Sequence, residues 1–144
     1  MRVLLVEDNR GDAALISEEL MRMVPAARLQ IAHDGLEAGE QMRSADGEIE
    51  VVILDLNLPG IDGWRVLANI RQDPMTTVTP VVVLTSSEDE HDVNRAYRLG
   101  ANCYLVKPIE LSTYLTVVRQ IADFWLRMSQ LPSGPADQWD GDTS

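Results

Sequence analysis

Three runs along the chain, VLLV (3–6), VVIL (51–54) and VVVL (81–84), are apolar at every successive position. A strand with one wet face alternates apolar and polar residues; a short strand apolar throughout is buried on both faces. RVLLV (2–6), VVIL (51–54) and PVVVL (80–84) read as such strands, CYLV (103–106) as the fifth strand, and RLQIA (28–32) as a half-buried one. Between them the apolar period lengthens to that of a helix. Helices are predicted over 14–24, with Leu15, Ile16, Leu20, Met23 and Val24 inward, and over 36–43, 63–72, 92–100 and 111–128. Gly100 reads as the C-terminal cap of the fourth.

Five strands each followed by a helix form an α/β fold, a parallel sheet with helices on both faces. Right-handed crossovers make it doubly wound, with the flavodoxin-like (βα)5 strand order 2-1-3-4-5. The length of 144 residues suits one such domain. Its boundaries are placed at 1–129. Residues 130–144, rich in Pro, Gly and Asp, read as an acidic, disordered tail, with Trp139 a stray aromatic.

The net charge of −11 argues against a nucleic-acid surface, which needs clustered Lys and Arg. No segment approaches the ~20 apolar residues of a membrane span, and VLLV is too short for a signal-peptide core. A lone cysteine, Cys103, excludes an internal disulfide. A soluble, cytoplasmic chain is expected.

Ligands of open parallel sheets bind beyond the carboxyl ends of the strands. There the first strand delivers Glu7 and Asp8, the third Asp55, the fourth Thr85 and Ser86, and the fifth Lys107 and Pro108. Each has an ordinary explanation alone: Asp8 a helix cap, Glu7 a loop acid, Thr85 a turn hydroxyl, Lys107 an exposed ammonium. Asp55 is harder to dismiss, since a carboxylate ending the strand VVIL must find a partner or lose its charge. Three acids converge with the only lysine of the chain. One ammonium is too little for three carboxylates, so the cluster predicts a hard cation with oxygen ligands, Mg²⁺. Carboxylate, metal, hydroxyl and ammonium together make a receptacle for a phosphoryl group, with a carboxylate as nucleophile. Pro59-Gly60 then breaks the chain away so that Asp55 can be reached.

The segments LLVEDN (4–9), DLNLPGIDG (55–63), VVVLTSS (81–87) and YLVKP (104–108) resemble, in order and spacing, the receiver domains of two-component response regulators. The likeness runs over roughly residues 2–128. LVEDNRGDAALISEEL, RQDP, LGANCYLVKP and IADFWL, with the LP that follows, are similar to stand-alone regulators paired with bacterial phytochrome kinases. The resemblance implies that Asp55 accepts a phosphoryl group from a sensor histidine kinase. It implies that Asp8, Asp55 and the Asn57 backbone carbonyl ligate Mg²⁺, with Glu7 acting through a coordinated water. It implies further that Lys107 pairs with the phosphoryl group, Thr85 hydrogen-bonds it, and Tyr104 is an aromatic switch that follows Thr85. Asn57 and Ser87 stand where the family tunes phosphoryl lifetime, and the Lys107–Pro108 bond is expected to be cis. The chemistry implied is self-phosphorylation and autodephosphorylation rather than conventional turnover.

Few residues follow the last helix, so signalling by phosphorylation-dependent protein–protein contact is expected. That helix carries two apolar stripes, Leu111/Leu115/Val118/Ala122/Trp125 and Tyr114/Val117/Ile121/Phe124/Met128. One stripe covers a sheet; the second predicts a homodimer through helix four, strand five and helix five. A Mg²⁺-dependent aspartyl-phosphate phosphohydrolase is the first alternative, but the dehalogenase-like group needs an acid two residues past the nucleophile, where Asn57 stands. The second, a binding module that is never phosphorylated, leaves Lys107-Pro108 and the Asp55–Pro59–Gly63 spacing unexplained.

Overall fold

The computed structural model describes residues 1–44, 48–60 and 62–132. Strands β1 (Arg2–Val6), β2 (Arg28–Ala32), β3 (Ile49–Leu54), β4 (Val81–Thr85) and β5 (Cys103–Val106) form one sheet in the order β2-β1-β3-β4-β5. Every pairing is parallel, with Val3 opposite both Leu29 and Val51, and Val83 opposite both Leu54 and Tyr104. The fully apolar runs are the inner strands, as their composition requires: Val51 to Leu54 and Val81 to Leu84 are all buried. Each such side chain contributes about 1.5–3 kcal/mol relative to exposure.

Helices α1 (Arg10–Met23), α2 (Gly35–Ser44), α3 (Gly63–Gln72), α4 (Glu90–Arg98) and α5 (Leu111–Ile121) follow the strands in turn. Two cores result. Leu4, Val52, Leu54 and Val83 meet α2, α3 and Ala96 of α4 on one face, while Val3, Leu5, Ile53 and Leu84 meet α1 and α5 on the other. α4 closes at Gly100 as expected, with Gly100 N–H donating to Tyr97 O and Ala101 N–H to Ala96 O, each at 3.0 Å.

Four expectations need correction. First, α1 begins at Arg10 rather than at residue 14, and its cap is Asn9, whose side chain accepts from Asp12 N–H at 2.9 Å. Asp8 is therefore not a cap and stays available to the strand edge. Second, the last helix is not α throughout: Ala122–Met128 are wound as a π-helix, closed by Ser129 N–H to Phe124 O at 2.8 Å. The buried positions along the whole helix are Tyr114, Val118, Ile121, Ala122 and Leu126.

Third, the core face of this helix is neither predicted stripe. It draws Val118 and Ala122 from one and Tyr114 and Ile121 from the other, adding Leu126, while Leu111, Phe124 and Met128 are exposed. Fourth, the Lys107–Pro108 bond is trans, since no cis peptide occurs among the described residues. Trans is the lower-energy isomer of an X-Pro bond, and from it the Lys107 side chain still reaches the acids. Leu131 packs against the α1/α5 core, and the tail from 133, Trp139 included, lies outside the described residues. Among those described, no helix is long and apolar enough to cross a membrane.

Candidate functional site

The parallel register brings the ends of β1, β3, β4 and β5 to one edge. Asp55 N–H donates to Val6 O at 3.0 Å, and Lys107 N–H to Thr85 O at 2.7 Å, so each site residue is bonded to the neighbouring strand end. Asp55 is 6% exposed. Its Oδ1 accepts from Asn57 N–H at 3.0 Å and its Oδ2 from Lys107 Nζ at 2.8 Å. The partner its burial demands is thus found on β5 and in its own loop.

That loop depends on Gly63. A Cβ there would lie 2.4 Å from both Asp55 O and Leu56 Cα, so only glycine lets α3 start this close to the Asp55 backbone. Gly63 N–H donates to Leu56 O at 3.1 Å, and Asp62 caps the helix by accepting from Arg65 N–H at 2.9 Å. The glycine eight residues past Asp55 is thus a steric requirement of the carboxylate's mounting.

Lys107 Nζ contacts three acids: Glu7 Oε1 at 2.5 Å, Asp55 Oδ2 at 2.8 Å and Asp12 Oδ2 at 3.0 Å. Asp12 escaped the sequence reading. It sits in the first turn of α1, where an acid is ordinary for the helix dipole, and its partner is 95 residues away. Burial pushes Glu7 up to about 7, against the lowering effect of its Lys107 bond, while Asp55 adds to the rise. Burial works to lower Lys107, but its bonds to Asp55 and Glu7 outweigh it and raise the pKa. The ammonium stays charged at neutral pH.

Carboxylate oxygens of Glu7, Asp8 and Asp55 lie within 4.8 Å of one another. Asp8 is exposed and makes no ion pair among the described residues. With Asp12, four carboxylates gather at this edge against one ammonium, which contacts three of them, a larger excess than the sequence indicated. A set of hard oxygens, one face open to water, fits a divalent cation of the Mg²⁺ type.

Thr85 is fully buried, and its Oγ1 accepts from Asn57 Nδ2 at 3.4 Å, so the hydroxyl sits beside the Asp55 loop. Tyr104 is half-buried, its hydroxyl donating to Ser87 O at 2.9 Å in the segment after β4. Ser87 Oγ donates to Asp92 Oδ2 at 2.7 Å, tying that segment to α4. Glu7, Asp8, Asp55, Asn57, Thr85 and Lys107 are thus brought together at this edge, with Tyr104 and Ser87 beside it.

A buried aspartate at a strand end, a lysine across from it, and an acid pair beside it define a phosphoacceptor domain, and residues 3–119 match the response regulator receiver domain. The chain belongs to that family, whose members accept a phosphoryl group on an aspartate and work with histidine kinases. The response regulator Rcp1 of Synechocystis sp. (strain ATCC 27184 / PCC 6803 / Kazusa) is 42% identical over 137 residues, covering 91% of this chain and 92% of that protein. The structure of the Mn²⁺-bound form of Rcp1 matches with a TM-score of 0.86 at 39% identity, over 92% of this chain and 99% of the other. That of the phosphorylated cyanobacterial phytochrome response regulator RcpA matches equally, at TM-score 0.86 and 39% identity, over 92% and 98%.

Proposed function

We propose that Asp55 is the phosphoacceptor of a stand-alone response regulator served by a phytochrome-type sensor histidine kinase, with Mg²⁺ as its cation. The observation that carries this reading is the placement of Asp55 between Lys107 and the Glu7–Asp8 pair. An Asp55 carboxylate oxygen attacks the phosphorus of a phosphohistidine; the P–N bond breaks and the imidazole leaves with its electron pair. The product is an acyl phosphate on Asp55.

Asp8, Asp55 and the Asn57 carbonyl would hold Mg²⁺, with Glu7 reaching it through a water. The ion supplies positive charge against the incoming phosphoryl oxygens. Lys107 gives the same charge from β5, and Thr85 donates its hydroxyl to a phosphoryl oxygen. As Thr85 turns toward that oxygen, Tyr104 follows it, and its hydroxyl bond to Ser87 O couples the movement to the segment after β4. The change reaches α4 through Ser87 and Asp92, so phosphorylation biases a two-state equilibrium of the α4–β5–α5 face.

That face is read as a homodimer surface. β5 is an edge strand, and beside it Cys103, Leu105, Ile121, Phe124 and Trp125 line a groove of about 300 Å³. Exposed Phe124 and Met128 extend the apolar area. The folded unit over 1–129 acts through this surface, and the residues beyond serve as an acidic tail. The similarity to a phytochrome response regulator supports the kinase class.

The test is phosphotransfer from purified histidine kinases of phytochrome and other types, with Mg²⁺ or EDTA, and light scattering before and after. Rapid Mg²⁺-dependent transfer from the phytochrome kinases and a shift toward dimer are expected. Preference for another kinase class would overturn the phytochrome assignment, and a monomer in both states the dimer.

A further inference from the structure

Asp12 stands in the first turn of α1 and reaches the site from a helix rather than from a strand end. The segment that carries it is tied to the acid pair. Asn9 N–H donates to Glu7 Oε2 at 3.2 Å, and the Asn9 side chain accepts from Asp12 N–H at 2.9 Å. From this mounting, Asp12 Oδ2 accepts from Lys107 Nζ at 3.0 Å, across 95 positions of sequence.

The acids of this edge divide between two cations. Glu7, Asp8 and Asp55 bring oxygens within 4.8 Å of one another, and Asp12 is not part of that group. Lys107 contacts Glu7, Asp55 and Asp12, and not Asp8. Glu7 and Asp55 therefore belong to both sets, Asp8 to the metal set alone, and Asp12 to the lysine set alone. A divalent cation in the notch draws on Glu7 and Asp55. A phosphoryl group on Asp55 then receives the N–H that Asp55 itself holds now. Asp12 is the acid that neither newcomer draws away.

We propose that Asp12 is a positioning residue for phosphoryl transfer, the carboxylate that keeps the Lys107 ammonium in place once the cation and the phosphoryl group engage Glu7 and Asp55. The inference rests on the reading of Asp55 as phosphoacceptor. A lysine reaches its partners on a flexible four-carbon stem and carries three N–H donors. An ammonium already held at the site stabilises developing negative charge without having to reorganise. Asp12 supplies that hold through one N–H and leaves the others for the reaction. Its side chain is 28% exposed and that of Lys107 9%, so the tie reaches a largely enclosed ammonium from the wet side.

Lys107 is the only lysine of the chain, so isotope-labelled lysine gives a single side-chain ammonium signal by NMR. In Mg²⁺, the Lys107 ammonium protons of Asp12→Ala should exchange with water about 3- to 10-fold faster than those of wild type, the worth of one hydrogen bond. In EDTA the difference should be smaller, because Glu7 and Asp55 still hold the ammonium. Phosphorylation of Asp12→Ala by a small acyl phosphate, at saturating Mg²⁺, should slow by about 3- to 10-fold. The nearly isosteric Asp12→Asn, which keeps a neutral acceptor, should lie between it and wild type. In a Lys107→Ala background, Asp12→Ala should change the rate by less than about two-fold. A wild-type rate in Asp12→Ala overturns the proposal, as does ammonium exchange in Mg²⁺ that the substitution leaves unchanged. So does a loss of rate undiminished by Lys107→Ala, which would belong to α1 and not to the ammonium. A wild type that takes up no phosphoryl group overturns the phosphoacceptor reading itself, and this inference with it.

Discussion

Lys107 Nζ lies 2.8 Å from Asp55 Oδ2, joining residues 52 positions apart across the carboxyl edge of the sheet. The same ammonium holds Glu7 and Asp12, so it is the counter-charge on which three acids depend. Lys107→Ala leaves those acids facing one another. Breaking a buried pair costs about 3–5 kcal/mol. Glu7, already pushed up to about 7, takes up a proton and lessens the repulsion. A net loss of about 2–3 kcal/mol is expected by urea denaturation in EDTA near neutral pH. Millimolar Mg²⁺ should narrow the gap, and a gap indifferent to metal would speak against a shared cation site.

Gly63→Ala should injure the same site through the backbone. The added Cβ would meet Asp55 O and Leu56 Cα at 2.4 Å, and backbone cannot step aside as a flexible side chain does. A loss of about 1–3 kcal/mol is expected, together with weaker Mg²⁺ binding followed by tryptophan fluorescence. Unchanged metal affinity would show that α3 moves without disturbing Asp55.

Arg71 offers a contrast away from the site. Its guanidinium donates to Gly100 O at 2.9 Å, Thr77 O at 3.2 Å, Thr79 O at 2.7 Å and Asn102 Oδ1 at 2.7 Å, clasping the loops that enter β4 and β5. Arg71→Lys cannot reproduce that planar set of donors. It should cost about 2–3 kcal/mol in urea denaturation, with Mg²⁺ affinity unchanged.

A pH dependence comes from the junction of α1 and α5. Arg22, followed by Arg119, holds the Glu19 carboxyl down at about 2, with Arg119 Nε donating to it at 2.7 Å. A lowered carboxylate pKa adds stability that is complete above the unfolded value and fades as pH falls through the folded one. Both arginines are largely solvent-exposed, so screening keeps the effect small. Glu19→Gln should lower Tm by about 2–4 °C near neutral pH. The difference should shrink between about pH 5 and pH 2 and shrink also in high salt; a constant difference would rule out the carboxylate as its source.

The strands and α3 were legible because VVIL and VVVL have no polar break and 63–72 keeps a helical period; α3 spans Gly63–Gln72, as read. The edge was legible because each strand ends in its polar residue. Asp12 was not, since its contact with Lys107 exists only once the sheet has formed. Arg71 was hidden for the same reason: four acceptors from separate loops converge on it, and no local pattern announces them. The π winding of Ala122–Met128 was not legible either, because the apolar period of that segment fits an α-helix equally well. The cis Lys107–Pro108 bond came from likeness alone, and here the trans bond suffices.

Intact-mass analysis after incubation with a small acyl phosphate donor and Mg²⁺ tests the central claim most directly. The account predicts one phosphoryl group on the wild-type chain, none in EDTA, and none on Asp55→Asn. Phosphorylation that persists in Asp55→Asn, or a wild type that takes up no phosphoryl group, would contradict it.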